Sequence, residues 1–237
     1  MFENSRKYLK LFLFVAIALA AKQGWAQQQD VDKTSPLNRI TGDVSLLSHY
    51  VKDGLSQSDK DPALQGTFWV NFGSQFRLGL FGSSVNYANS SDHFNLDAVA
   101  ELKVDFNPNS YGVLGYSQNQ YYSWSDRNGN TFTILLNFYG YRVHYEKESN
   151  WNGTGKRGDR YSFGKDFAVF TTWRWNNEVG YTNPNATSVD PFLDFKTALG
   201  SKFGMLYIEG GITATTDPSQ LHGQGDPFAI LSATLQF

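Results

Sequence analysis

Charged side chains fall at every second position along several stretches of this chain, and that spacing is its first feature with chemical meaning. Asp97, Glu101, Lys103 and Asp105 alternate with apolar residues in one run. Arg142 and Glu146, Arg174 and Glu178, and Asp194 and Lys196 do so in others, with Arg77 and Glu209 in two more. On an extended chain, residues an even number apart share a face. These side chains would therefore form either a polar lining that filters ions or a set of ion pairs that braces a wall; both remain open at this point.

Catalytic and metal chemistry finds little support. Gly153-Thr154-Gly155-Lys156-Arg157-Gly158 has the letters of a dinucleotide fingerprint, but that motif needs a helix after it. Here the strand-like Tyr161-Ser162-Phe163 follows, so the segment reads as a surface loop. Arg157-Gly158-Asp159 spells an adhesion tripeptide and reads as a strand start. His49, His93, His144 and His222 are scattered without metal-ligand spacing. His144 falls on the polar parity of its run. Ser48 and His49 are adjacent and so point to opposite faces of one strand, and no nucleophile elbow is present. Asp126-Arg127-Asn128-Gly129 and Asp217-Pro218 are turn formers. No catalytic residue, cofactor site or metal site is assigned, and no enzyme activity is expected.

Composition narrows the class. The 237 residues include no Cys, 22 Gly, 16% aromatic and 18% charged residues, with a formal net charge of −2. The lack of Cys excludes disulfides and thiolate zinc sites. The near-neutral charge argues against nucleic acid as a partner. Aromatics and in-pattern glycines favour strands over helices.

The N-terminus reads as an address. Arg6, Lys7 and Lys10 precede an apolar run over 11–21, and Gly24-Trp25-Ala26 supplies small residues at the −3 and −1 positions of a cleavage site. This is a secretory signal pattern, and the run is too short for a span of about 20 residues. Residues 1–26 are expected to be removed and 27–41 to form a short periplasmic segment. The remainder would hold 16 bases and 21 acids, a net charge of −5.

The rest alternates. In 94–106 one parity reads Phe, Leu, Ala, Ala, Leu, Val, Phe, and the other reads Asn, Asp, Val, Glu, Lys, Asp. A period of two over this length is a strand with one apolar face, and it is longer than the usual strand of about 5–6 residues. Twelve such segments are expected: 42–50, 64–73, 75–85, 94–106, 111–122, 130–137, 140–148, 159–168, 172–181, 191–200, 205–214 and 228–237. The alternation is poorer in 111–122 and 130–148, which leaves ten or fourteen strands as alternatives. Short connections alternate with long ones (51–63, 86–93, 123–129, 149–158, 182–190 and 215–227), the layout of an outer-membrane barrel.

The apolar parity, including Phe68, Val70, Phe76, Leu78, Tyr141, Val143, Trp175, Phe195, Ile208 and Ile212, would face lipid. Tyr50, Tyr122, Trp173 and Tyr181 would suit interfacial girdles. Tyr121, Trp124 and Trp151 are assigned to loops. The competing architecture is a soluble sandwich or lipocalin-like barrel, in which the apolar parity would turn inward. Strand length, loop rhythm and the leader favour the membrane barrel. The last segment ends on Phe237, with Leu235, Ala233, Leu231 and Ala229 apolar at alternate positions. That pattern resembles the recognition signal for the barrel-assembly machinery, which would bind this strand by edge pairing.

The segment Leu47-Ser48-His49-Tyr50-Val51-Lys52-Asp53-Gly54-Leu55-Ser56-Gln57-Ser58, followed by Pro62-Ala63-Leu64-Gln65-Gly66, resembles the opening of the TorF-type porins. That family has an aromatic strand end, a Gly-x-Ser-Gln-Ser loop and a Pro-Ala-x-Gln-Gly step. Phe81-Gly82-Ser83 is similar to its Trp-Gly-Ser step, and Asn95-Leu96-Asp97 sits where it has an acidic-x-Asp start. The chain departs from the pattern at His49, where the family has an acid, at Asp53, where it has a base, and at Phe81, where it has Trp.

Together these observations imply an all-β, transmembrane, antiparallel up-and-down β-barrel of twelve strands over 42–237. It would lie in the bacterial outer membrane in contact with its lipids, with both termini periplasmic. Twelve strands about 4.8 Å apart and tilted about 40° give a backbone radius of about 12 Å, and side chains narrow the lumen to about 10 Å or less. The expected role is passive diffusion of small hydrophilic solutes or ions. Seven acids against five bases on the inward parity give a mild cation preference. The alternatives are a closed barrel with a structural or surface-interaction role and, third, a lipid-modifying enzyme.

Overall fold

The computed structural model describes residues 40–87, 91–123 and 125–237. The leader, most of the segment before the barrel, and Trp124 lie outside the described residues. The strands are β1 (Ile40–Leu47), β2 (Val51–Lys52), β3 (Leu55–Ser56), β4 (Ala63–Phe72), β5 (Phe76–Ser84), β6 (Phe94–Asn107) and β7 (Ser110–Tyr122). They continue as β8 (Gly129–Phe138), β9 (Tyr141–Glu148), β10 (Gly158–Ala168), β11 (Trp173–Asn183), β12 (Phe192–Phe203), β13 (Leu206–Thr215) and β14 (Phe228–Gln236). No α-helix is present among them.

All but β2 and β3 form one closed antiparallel barrel of twelve strands, in the order β1-β14-β13-β12-β11-β10-β9-β8-β7-β6-β5-β4. β1 closes it by pairing β14 on one side (Val44 opposite Leu235) and β4 on the other (Val44 opposite Gly66). Closure leaves no edge strand, so every strand satisfies its backbone within the wall, which is what a bilayer demands.

Burial is inverted relative to a soluble barrel. Leu46 (60% exposed), Leu64 (58%) and Ile212 (61%) stand on the outer surface, while Asp194 (3%), Arg160 (6%) and Glu146 (7%) are buried inside. Each outward Leu or Phe gains about 1.5–3 kcal/mol on leaving water for hydrocarbon. A belt of such residues therefore requires lipid around it, and the soluble alternatives fall away. The outer wall is further tied by the cross-strand aromatic pairs Phe94–Tyr122 and Phe167–Trp175, and by Phe106 stacked on Phe138.

Turn chemistry separates the two ends. Between β8 and β9 the chain turns on Tyr139 (φ 52°) and Gly140 (φ 80°) alone, both left-handed as a two-residue hairpin requires. The connections at this end cover 73–75, 108–109, 139–140, 169–172 and 204–205. At the other end they cover 48–62, 85–93, 123–128, 149–157, 184–191 and 216–227. Observed strand limits lie within a few residues of those expected. The largest change is at the first strand, which starts at Ile40 and stops at Leu47 instead of running to residue 50. The chain beyond Leu47 turns into the barrel.

Candidate pore and its constriction

The connection 48–62, expected from residue 51 onward as an external loop, enters the lumen as a miniature hairpin. β2 and β3 pair Val51 with Ser56 and Lys52 with Leu55. Asp53 (φ 54°) and Gly54 (φ 77°) form the turn. Asp-Gly is the strongest short-range signal for such a turn, so the hairpin was legible at this dipeptide. Gly54 has a second reason to be glycine: a Cβ there would stand 2.6 Å from Cβ of Asp194.

The hairpin is fastened to the β9–β14 wall. Lys52 Nζ donates to Glu146 at 2.7 Å and also to Glu148. Asp53 meets the Arg160 guanidinium at 3.2 Å, and Arg160 also contacts Glu178 at 3.0 Å and Asp194 at 2.7 Å. Gly180 makes room for this cluster, since a Cβ there would collide with the Asp194 carboxylate and the Arg160 guanidinium. The Ser56 backbone N–H donates to the carbonyl of Gln224 at 2.7 Å. Leu55 is buried with Trp151, Phe192 and Leu221. Tyr87 OH donates to Gln57 Oε1 at 2.8 Å from the opposite wall.

These surroundings set the charge states on the hairpin. Burial alone would depress the Lys52 ammonium, but Glu146 and Glu148 outweigh it and hold its pKa well above the ordinary value. Burial pushes the Asp53 carboxyl up to about 6 despite the opposing Arg160, and burial lowers His49. Carboxylate oxygens of Asp53, Glu146 and Glu148 lie within 4.8 Å of one another, a spacing that could hold a metal ion. Lys52 Nζ already supplies the positive charge there.

The opposite side of the lumen is open. At the loop end, a cavity of about 260 Å³ lies between the hairpin and the β5–β9 wall, with Tyr50, Tyr87, Tyr121 and Asp97 on its lining. It shares Phe81, Asp97, Ser117 and Thr133 with a second cavity of about 370 Å³. The second shares Glu101 and Thr133 with a third of about 780 Å³, which reaches the short turns at Gly73 and Gly140. A small space of about 50 Å³ lies at the loop end against Lys52, Arg127 and Trp151.

The twelve charged residues singled out in the sequence all fall on the parity opposite the exposed apolar one, and most are ion-paired along the wall. Arg77 meets its cross-strand partner Glu101 at 2.8 Å, Lys196 meets Glu209 at 3.0 Å, and Lys103 meets Asp105 at 2.7 Å. Arg142 pairs with Asp166 at 2.6 Å, and Glu178 and Asp194 converge on Arg160. Glu146 is taken by Lys52. Among the described residues, Asp97 receives only the Asn95 amide at 3.2 Å, and Arg174 has no ion pair.

Sequence reading passed over Lys52, Asp53, Asp43, Glu148, Arg160 and Asp166. Arg160 and Asp166 follow the same parity rule as the others and could have been found by it. Tyr50, expected in the lipid girdle, instead lines the lumen because its strand ends three residues earlier. Tyr121 lies within β7 and faces inward, and Trp151 is buried under the loops. Tyr122, Trp173 and Tyr181 are exposed on the outer face.

One contact has the look of a nucleophile. His49 Nε2 and Ser56 Oγ are 2.7 Å apart and both residues are buried. The backbone N–H groups that could hold an oxyanion there are already used: Ser56 donates to Gln224 and Gln57 donates to the carbonyl of Tyr50 at 2.8 Å. The His49 ring also packs edge-on against Phe228 at 4.4 Å. The pair serves to hold the hairpin. The loop at 153–158 likewise runs into β10 with no helix after it.

A closed, lipid-belted barrel of twelve strands with a charged lumen is a fold found among outer-membrane porins. The chain resembles the KdgM porin (TM-score 0.56, 11% identity, covering 83% of this chain and 98% of that one). It resembles the NanC porin equally (TM-score 0.56, 8% identity, 83% and 98% covered). A second KdgM structure, in complex with disordered oligogalacturonate, gives a TM-score of 0.52 at 11% identity, covering 84% of this chain and 97% of that one. At these identities the likeness concerns the fold. By its sequence the chain belongs to the family described as "Bacterial protein of unknown function (Gcw_chp)", whose model matches residues 30–219. The TorF-type resemblance therefore holds at the level of a porin-type barrel, and the family matched is Gcw_chp. No curated protein matches the sequence.

Proposed function

We propose that this protein is an outer-membrane channel for passive diffusion of small hydrophilic solutes or ions. Residues 1–26 would be removed on export, both termini would lie in the periplasm, and the long connections would face outward. The single observation behind this reading is the series of adjoining cavities that runs from the loop end to the short-turn end beside the hairpin. The porin fold of its structural relatives supports the same reading, as does a lumen whose polar side chains are those a hydrated solute meets. Insertion would proceed through the barrel-assembly machinery, with β14 and Phe237 as its recognition strand.

A second reading is a closed barrel that contacts partners through its loops. The hairpin favours it, because its ion pairs occupy one side of the lumen and leave only a small cavity of about 50 Å³ against Lys52, Arg127 and Trp151 at the loop end. Planar-bilayer recording on the refolded full chain separates the two. Discrete conductance steps in KCl are expected, and a folded, heat-modifiable protein that gives none would overturn the channel.

A further inference from the structure

The open passage and the filled sector differ in how their charges are balanced. We infer that the passage selects cations and that Asp43 and Asp97 set the selection. This rests on the channel reading and deepens it.

The middle cavity, about 370 Å³, has Asp43, Asp97 and Glu101 on its lining, and no Lys, Arg or His among the described residues that line it. Glu101 is neutralised by Arg77 at 2.8 Å. The other two acids have only neutral partners. Asp43 accepts from the Thr67 hydroxyl at 3.2 Å, and Asp97 accepts from the Asn95 amide at 3.2 Å. Asp43 stands on β1 and Asp97 on β6, so two carboxylates without counter-ions face one confined space from either end of a four-strand arc.

Most bases of the lumen are already matched by other acids. Arg160 is shared by three carboxylates, Lys52 is held by Glu146 and Glu148, and Lys196 is matched by Glu209. Arg174, which has no ion pair among the described residues, stands opposite Ala168 and Gly200 near the short-turn mouth. It lines the wide cavity of about 780 Å³, where mobile ions screen it over a Debye length of about 8 Å. A charge in a narrow, low-dielectric passage acts on every ion that crosses; one at a wide mouth acts weakly. A lining potential of about one kT enriches cations and depletes anions each by a factor of about e, a permeability ratio of about seven.

The test is the reversal potential of the refolded full chain in a planar bilayer under a KCl gradient at pH 7.5. Wild type is expected to give a potassium-over-chloride permeability ratio of about seven. The Asp43→Asn/Asp97→Asn double variant should fall close to one, with each single variant between. Arg174→Gln should move the ratio little. Heat-modifiable migration on gels reports whether each variant folds, and should the double variant fail, the two single variants carry the comparison. A wild-type ratio at or below one overturns the inference, as does a cation preference that the Asp variants leave unchanged. Complete lack of conductance in folded wild type would instead overturn the channel itself.

Discussion

The two sides of the lumen are built from the same kinds of residue and do opposite things. Along β9–β14, acids and bases are brought together and sealed by the hairpin: Arg160, Glu178, Asp194, Asp53, Lys52, Glu146 and Glu148 form one connected set. Along β1 and β4–β8 the hairpin makes no ion pair among the described residues, Asp43 and Asp97 have no ion pair there either, and adjoining cavities remain. The composition of a lumen therefore does not define a pore. What separates wall from passage is where a single inward connection docks, and that follows from which strands present charges complementary to Lys52 and Asp53.

Removing the filling should produce the largest effect. Replacing 51–57 with a flexible Gly-Ser segment leaves the twelve barrel strands intact, since β2 and β3 pair only with each other. The lumen then opens across both sectors, and single-channel conductance should rise about twofold or more, as the conducting cross-section grows. An unchanged conductance would mean that ions do not pass through the lumen space the hairpin shares.

The ion cluster comes next. Arg160 is 6% exposed and answers three carboxylates. Arg160→Met keeps its length and removes its charge, leaving Asp194 buried without its cation and Asp53 with only Lys52 at 3.8 Å. Loss of one partner from such a buried set costs about 3–5 kcal/mol. The urea midpoint of the heat-modifiable form should drop accordingly. The same substitution at Arg174, which has no ion pair among the described residues, should leave the midpoint in place, so equal effects at the two sites would erase the distinction between the sectors.

How much of this was legible in the sequence follows from what each feature depends on. The twelve barrel strands were readable because lipid on one side and water on the other write a period of two directly into the residues, as in Phe94–Asn107. The girdle positions of Tyr122, Trp173 and Tyr181 follow from the same rule. The ion pairs were only half legible. Parity places Arg77 and Glu101 on one face, but pairing them also needs the register that puts them opposite each other. The hairpin's docking was not legible, because Lys52 meets Glu146 across 94 residues and nothing local encodes that distance. Only its turn, Asp53-Gly54, was written locally. Tyr50 was misplaced for the same reason: alternation continues past Leu47, while the backbone leaves the wall there.

The smallest effect expected is a titration of the hairpin itself. Burial raises the docked Asp53 carboxyl to about 6 from an ordinary 3.8, with Arg160 opposing and Glu146 adding to the rise. Between those values the docked hairpin binds more protons than a released, solvated one. Docking therefore gains as the pH falls through that window and loses as it rises through about 6. His49 acts in the opposite sense, since burial lowers it below 6.5 and the docked form must keep the ring neutral. Lys52 stays protonated throughout. Asp53→Asn isolates the Asp53 contribution while His49 and the wall acids remain. If hairpin release underlies a higher-conductance level, the fraction of time in that level should decrease from pH 7.5 to pH 5 in wild type relative to Asp53→Asn. Superimposable pH profiles would show that Asp53 keeps one charge state in both positions, and the ion cluster would then be a fixed brace rather than a latch.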